Sequence, residues 1–149
     1  MKNFRLISAL LLTASFALAS CGADPTNFGT LPADNLSNKV TGNVHECGIE
    51  LSAQKATAGE VIFAVANFGS IAHEFIVVKT DYEVGQIPLG GNNRFDEEGE
   101  GVEAIDEIKE FPINTSEVLT VSLEAGNYQL LCNIAGHYKN GMYAAFLVE

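Results

Sequence analysis

Apolar and polar residues alternate along the chain from residue 39 to its end, with the two-residue period of β-strands. Val61, Phe63 and Val65 alternate with other apolar residues, which predicts a strand in the middle of the sandwich with both faces covered. Turn sequences such as Asn-Phe-Gly, Ala-Gly-Asn and Asn-Gly separate the runs, and almost no helical pattern occurs. Further strands are predicted at residues 75–78, 118–123, 128–132 and 143–148. The pattern therefore predicts an all-β fold, an antiparallel β-sandwich.

The first predicted strand carries a cysteine and a histidine. Because side chains alternate along a strand, one face is expected to point inward. The residues on that face are His45, Cys47, Ile49 and Leu51. A buried free thiol is the interpretation that this placement favours for Cys47. An alternative is a second metal site formed by His45 and Cys47.

The pattern changes between residues 81 and 111, where acidic residues accumulate. Eight acids fall within residues 96–110, countered there only by Lys109. Ala104, Ile105 and Ile108 predict one short amphipathic helical turn within an otherwise acidic loop. Such a run is either a solvated loop or a docking surface for a basic partner protein, since clustered charge steers the encounter of two proteins.

The first twenty residues have the features of a signal peptide. Lys2 and Arg5 precede an apolar run that is short for a membrane span, so export to the periplasm or the cell surface is expected. The run ends in Leu-Ala-Ser-Cys21, which resembles the bacterial lipobox, in which the cysteine receives a lipid. An ordinary signal peptide is the alternative. The predicted organisation is a signal peptide at 1–20, a lipidated linker at 21–38 and a folded domain at 39–149.

Charge and size limit the classes of function. The 149 residues suffice for one domain, and the net charge of −11 argues against a nucleic-acid partner. Removing residues 1–20 leaves 6 basic against 19 acidic residues, a net charge of −13. An acidic, exported monomer tethered to a membrane by lipid is expected.

Residues 132–142 hold the strongest chemical pattern in the chain. Cys132, His137 and Met142 follow the spacing C-x4-H-x4-M, with glycines at 136 and 141 that allow the backbone to turn. Sulfur ligands together with imidazole suit copper better than magnesium or calcium. The segment supplies one histidine, so a second must come from elsewhere. His73 lies where a turn enters an apolar strand, which is a rigid place for a ligand.

These residues resemble the cupredoxins, small blue copper proteins, over roughly residues 39–149. The spacing is more similar to rusticyanin, sulfocyanin and phytocyanin loops than to the shorter plastocyanin loop. The resemblance implies a Greek-key sandwich with one mononuclear type 1 copper ion. It places His73, Cys132, His137 and Met142 on the four ligand positions. Three would form a plane and Met142 a long axial ligand.

Glu74 departs from the family pattern. Many cupredoxins have Asn or Ser after the first histidine ligand, where it joins the two ligand loops by hydrogen bonds. A carboxylate there would favour Cu(II) and lower the reduction potential, unless it points to solvent.

The resemblance implies one-electron transfer without catalysis, to a redox partner such as a cytochrome or an oxidase. His137 would reach the surface within an apolar docking patch, whose candidate residues are Ile134, Ala135, Tyr138 and Tyr143. A multicopper oxidase needs further histidines, and a purple binuclear site needs two cysteines in the loop; this chain has neither. A copper-delivery protein and a structural surface lipoprotein stay open as alternatives. A Cys47–Cys132 disulfide would abolish the site.

Overall fold

The computed structural model describes residues 38–149. The predicted signal peptide, the linker as far as residue 37 and the lipidation site at Cys21 lie outside them. Within 38–149 no helix is long and apolar enough to cross a membrane.

Nine strands make up the described part of the chain, and the helical elements there are two short 3-10 turns. The strands are β1 (Lys39–His45), β2 (Gly48–Leu51), β3 (Lys55–Ala56), β4 (Gly59–Asn67), β5 (His73–Thr80), β6 (Val102–Phe111), β7 (Ser116–Leu123), β8 (Gly126–Leu131) and β9 (Tyr143–Val148). One sheet has the order β2-β1-β4-β7 and the other β3-β9-β8-β5-β6. The predicted all-β sandwich is confirmed. Both sheets are mixed, since β1 pairs with β4 and β3 with β9 in parallel.

The main core lies between the two sheets. Val61, Phe63 and Val65 of β4 are fully buried, whereas the opposite face of this strand is partly exposed. The Phe63 ring packs against Phe75 and Phe146, with ring centroids 5.5 and 5.3 Å apart. Burying one such ring contributes about 1.5–3 kcal/mol. This core fixes the strand ends from which the candidate ligands emerge.

A second, smaller core covers the outer face of β5. Phe75 and Val77 face the main core, while Ile76 and Val78 face outward and are also buried. The segment 81–101 folds over this outer face and contributes Ile87 to its core. This explains the continuous apolar run in β5, because both of its faces are covered.

The predicted helical turn within the acidic region is wrong, because these residues form β6, an edge strand paired with β5. Register shifts between His73 and Phe75 and between Val77 and Val78 add extra residues to β6. Buried or half-buried positions therefore recur every three residues instead of every two. That spacing imitates a helical period. The strand prediction failed here because bulges depend on the partner strand.

The predicted first strand is also wrong in its boundaries. Its alternation runs across two strands, β1 and β2, which form a hairpin with its turn at Glu46 and Cys47. Cys47 is therefore exposed and not buried, and it is disulfide-bonded and not free. Ile49 of β2 is the buried residue of the set.

Candidate metal centre

His73 opens β5 and is fully buried. The loop before it is fixed by Asn67, a buried residue at the end of β4. The Asn67 amide donates to the carbonyl oxygens of Ile71 and Phe111 at 2.9 and 3.1 Å. Its Oδ1 accepts the backbone N–H of Gly69 at 2.9 Å. One side chain thus closes the turn and holds the loop before His73 to the neighbouring strand β6.

Cys132 directly follows β8, and the chain then forms a closed loop back to β9. The Cys132 N–H donates to the carbonyl of Met142 at 3.2 Å, and the Met142 N–H donates to the carbonyl of His137 at 3.1 Å. The 3-10 turn Tyr138–Asn140 ends at Gly141, whose φ of 101° is in the left-handed region that favours glycine. The loop therefore places its three candidate ligands through backbone hydrogen bonds.

The structure brings His73, Cys132 and His137 together. Their potential ligand atoms all lie within 4.8 Å of one another. The Nδ1 atoms of the two histidines are 3.2 Å apart, and Cys132 Sγ lies 3.4 Å from His137 Nδ1. Met142 is fully buried and belongs to the same core cluster as Cys132. This is the one group of its kind within residues 38–149.

Burial sets the protonation of these groups. It lowers the pKa of His73, which the nearby His137 lowers further, and it lowers the pKa of His137. Both rings are therefore neutral near pH 7 and offer lone pairs. Burial raises the pKa of the Cys132 thiol to about 11, against the effect of backbone N–H groups of Glu74 and Ile134. A bound cation would favour the thiolate, since metal binding displaces the thiol proton.

Glu74 is half-buried, and its backbone, not its side chain, contacts the predicted ligand. Its N–H donates to Cys132 Sγ at 3.3 Å, which links the two ligand segments. Burial raises the pKa of the Glu74 carboxyl, and the Arg94 charge opposes this. The Asn or Ser bridge of the family pattern is thus replaced by this main-chain contact to sulfur and by the Glu74 carboxyl, whose pKa the Asn133 backbone N–H lowers.

Asn133 is a buried residue that the sequence did not single out. Its Oδ1 accepts the Phe95 N–H at 2.8 Å, and its Nδ2 donates to the Phe95 carbonyl and to Glu97 Oε1 at 3.2 and 2.8 Å. These bonds fasten the segment 81–101 to the residue after Cys132. The sequence offered one signal for this role of Asn133, namely an amide side chain directly after the predicted ligand Cys132.

Of the four predicted docking-patch residues, Tyr138 is buried and Tyr143 is partly buried. Tyr138 is buried, its hydroxyl accepts the Ile87 N–H at 2.8 Å, and burial raises its pKa to about 12. The Tyr143 ring packs beside Tyr138, with centroids 5.4 Å apart. Tyr138 belongs to the smaller core over the outer face of the sheet, and Tyr143 packs against it. Ala135 is exposed, and Ile134 and His137 are partly exposed.

The sequence missed two exposed apolar residues in the loop before His73. Phe68 is 69% exposed and Ile71 is 47% exposed. They stand among Asn, Gly and Ser residues, whose turn pattern concealed them.

His45 and Cys47 do not form a second metal site. The Cys47 N–H donates to His45 Nδ1 at 3.3 Å, and His45 Nε2 lies 3.9 Å from Glu50 at the surface. A Cys47–Cys132 disulfide is also excluded, because Cys132 is free.

The donor set fits a soft or borderline metal ion. Two neutral imidazoles and one buried sulfur converge, with the Nδ1 atoms of the two histidines 3.2 Å apart. Imidazole and thiolate together suit copper or zinc, and a buried methionine beside them favours copper.

The fold resembles solved blue copper proteins. Auracyanin from Roseiflexus castenholzii covers 77% of this chain and 99% of its own, with 18% identity and a TM-score of 0.57. Auracyanin B covers 80% and 94%, with 15% identity and a TM-score of 0.57. Rusticyanin from Thiobacillus ferrooxidans covers 77% and 84%, with 17% identity and a TM-score of 0.53.

A comparison with curated proteins gives no match. The family model of the sulfocyanin (SoxE) domain matches residues 49–149, which include His73, Cys132, His137 and Met142. The chain therefore belongs to the sulfocyanin (SoxE) domain family, and it is a cupredoxin whose cofactor is one type 1 copper ion.

Proposed function

We propose that this protein is an exported, membrane-tethered carrier of single electrons, with His73, Cys132, His137 and Met142 as its copper ligands. The observation that carries the proposal is the convergence of two imidazole nitrogens and one thiol within 4.8 Å. When bound, copper supplies a centre that accepts and releases one electron. The residues of the chain hold this centre in a fixed, mostly buried environment.

Rigid placement is the contribution of the protein. His73 is held by the strand and by Asn67, while the closed loop holds Cys132 and Met142. Ligands that move little between two oxidation states keep reorganisation small, because the polar surroundings are already in place. Three of the four ligands are fully buried, which keeps water away from the sulfur atoms.

An absorption spectrum with a reductive titration tests this function. We expect the purified, copper-loaded protein to show an intense visible band that bleaches with one electron per copper and returns on reoxidation. Colourless, tight Cu(I) binding with ready transfer to a chelator would instead support copper delivery. No copper uptake would support a structural surface protein.

The exposed part of the site supports a route for the electron through His137. His137 is the least buried of the four proposed ligands, and exposed Ala135 precedes it by two residues. Phe68 and Ile71 add apolar surface in the loop before His73. We infer that a redox partner such as a cytochrome or an oxidase docks against these residues.

Acidic residues near this end support a basic partner. Glu97 is bound to Asn133, next to Cys132, and Glu98 and Glu100 are exposed nearby in sequence. Neutralising Glu98 and Glu100 with glutamine should slow electron exchange several-fold at low salt, since charge steers encounter. Glu97 stays unchanged to preserve its hydrogen bond. The control is the double variant E60Q/E124Q, which also removes two negative charges. These two residues adjoin the pair Gly59 and Leu123, at the end of β4 away from Asn67.

Anchoring at Cys21 is a separate part of the proposal. The chain has three cysteines, of which Cys132 is free and Cys47 is disulfide-bonded. Intact mass measurement of the exported protein tests the anchor. A mass increase from acyl groups that C21S abolishes supports the anchor, and an unmodified mass contradicts it.

A further inference from the structure

One nitrogen of the His73 ring is not used by the proposed copper site. His73 Nδ1 faces His137, so Nε2 points away from the converging ligand atoms. Nε2 is buried and is the side-chain polar atom without a hydrogen-bond partner among the described residues. Buried polar groups in native proteins are almost always hydrogen-bonded, so this atom requires an explanation.

The nearest charged group behind this nitrogen is the Glu46 carboxylate. Glu46 Oε1 lies 3.9 Å from His73 Nε2. Glu46 belongs to the turn between β1 and β2, which is far from His73 in sequence. Its carboxylate is held in place by Ser70, because the same Oε1 accepts both the Ser70 N–H and the Ser70 hydroxyl, the latter at 2.7 Å.

Gly69 leaves open the space between the two groups. A Cβ atom at this position would lie 2.5 Å from His73 Nε2 and 3.0 Å from Glu46 Oε1. A side chain here would therefore displace the imidazole or the carboxylate. The glycine, the serine after it and the buried nitrogen together form a built contact, not a chance approach of surface groups.

We propose that Glu46 is the outer hydrogen-bond acceptor of His73, receiving its Nε2–H directly or through one water molecule. A distance of 3.9 Å closes to a hydrogen bond with a small side-chain shift, or accommodates a bridging water at a wider separation. With the proton held at Nε2, the lone pair of Nδ1 is presented to the metal. Glu46 is a positioning residue and does not contact copper itself.

The charge of Glu46 gives the contact a second consequence. A carboxylate behind a histidine ligand increases ligand basicity and favours the more highly charged metal state. The Glu46–His73 contact therefore stabilises Cu(II) relative to Cu(I) and lowers the reduction potential. This part of the inference rests on the proposed ligand role of His73.

Two measurements test the contact in E46Q, with E50Q as the matched control. Glu50 is an acid of the same hairpin that lies near His45 at the surface, so E50Q removes equal charge without touching His73. Long-range proton–nitrogen NMR of the metal-free protein reports the His73 tautomer. We expect a single Nε2–H form in the wild type and in E50Q, and a shift towards mixed tautomers in E46Q.

The copper-loaded protein gives the second readout. Loss of such an outer partner typically costs about 10- to 100-fold in metal affinity. We expect E46Q to lose Cu(II) affinity within this range and Cu(I) affinity by less, so that its reduction potential rises. G69A is a second variant, and its added Cβ should shift both readouts in the same direction.

The outcomes separate this inference from the proposed function. Because glutamine keeps an acceptor oxygen at position 46, unchanged tautomer and affinity in both E46Q and G69A overturn the contact. Equal changes in E46Q and E50Q also overturn it, since they would reflect overall charge. A wild type that binds no copper contradicts the proposed function, while the tautomer measurement still decides the contact. If E46Q fails to fold, judged by circular dichroism, G69A supplies both readouts.

Discussion

His73 and His137 bring the same chemical group to one site from two different kinds of backbone. His73 begins a strand, is fully buried and is fixed by Asn67 in the loop before it. His137 stands in a loop, is partly exposed and precedes a 3-10 turn that backbone hydrogen bonds close. One imidazole thus belongs to the frame of the sandwich, and the other belongs to its surface.

The two histidines therefore have different roles in an electron carrier. The buried histidine sets the position of the site, because its surroundings cannot rearrange without disturbing two strands. The exposed histidine provides the short path to a partner. If this division is real, the two histidines should respond differently to the same change.

Replacing each histidine with glycine should give opposite results for the two positions when imidazole is added. We expect H73G and H137G both to lose the intense visible band of the copper-loaded protein, since each lacks one ligand. Added imidazole should restore the band in H137G, where solvent reaches the space, and should leave H73G colourless, because His73 is fully buried. The measurement is an absorption titration with imidazole. Equal restoration of the band in both variants would show that imidazole reaches the position of His73 as readily as that of His137.

Proton release on copper binding should come from the thiol and not from either ring. The pKa of Cys132 is raised to about 11 by burial, whereas burial lowers the pKa of both histidines. The thiol is therefore protonated near neutral pH and must lose one proton, while the rings are already neutral. Affinity for Cu(I) should rise about tenfold per pH unit, or about a hundredfold over two units near neutrality.

Titration of Cu(I) into weakly buffered protein measures the protons released directly. One proton per copper is the expected value, and C132S should release none. A value of two would mean that an imidazole was also protonated before binding. A value of zero in the wild type would mean that Cys132 is already a thiolate in the metal-free protein.

The sequence predicted those parts of the molecule that depend on local pattern. β7 and β9 keep one buried and one more exposed face, so simple alternation identified them. The convergence of His73 with Cys132 and His137 agreed with the order of residues in the cupredoxin family. β6 was mistaken for a loop with a helical turn, because its two register shifts arise from pairing with β5.

The missed residues act across long separations in sequence. Glu46 lies 24 residues from Ser70, and Asn133 lies 38 residues from Phe95. Tyr138 was expected at the surface, yet the segment 81–101 covers it through a hydrogen bond from Ile87. No periodicity within a strand or a loop contains this information, since it depends on which segments the fold brings together.

The smallest effect is expected at Asn133, which attaches the segment 81–101 to the loop that carries the exposed histidine. Replacing it with alanine leaves the buried N–H and carbonyl of Phe95 without their partners. We expect N133A to lower the free energy of unfolding by about 1–3 kcal/mol, the range for unsatisfied buried groups. The control N127A removes one exposed contact, to Asp81, and should change the free energy by less than about 0.5 kcal/mol.

Urea unfolding of the metal-free proteins, monitored by circular dichroism, provides both free energies for this pair. Because Asn133 fastens the segment 81–101 to the loop of His137, its loss should also broaden the visible band of the copper-loaded protein, as the ligands become less uniformly placed. The loop before His73 is held separately by Asn67, so the His73 tautomer in the metal-free protein should stay unchanged. A tautomer change in N133A would show that the two halves are coupled and that the division between frame and surface does not hold.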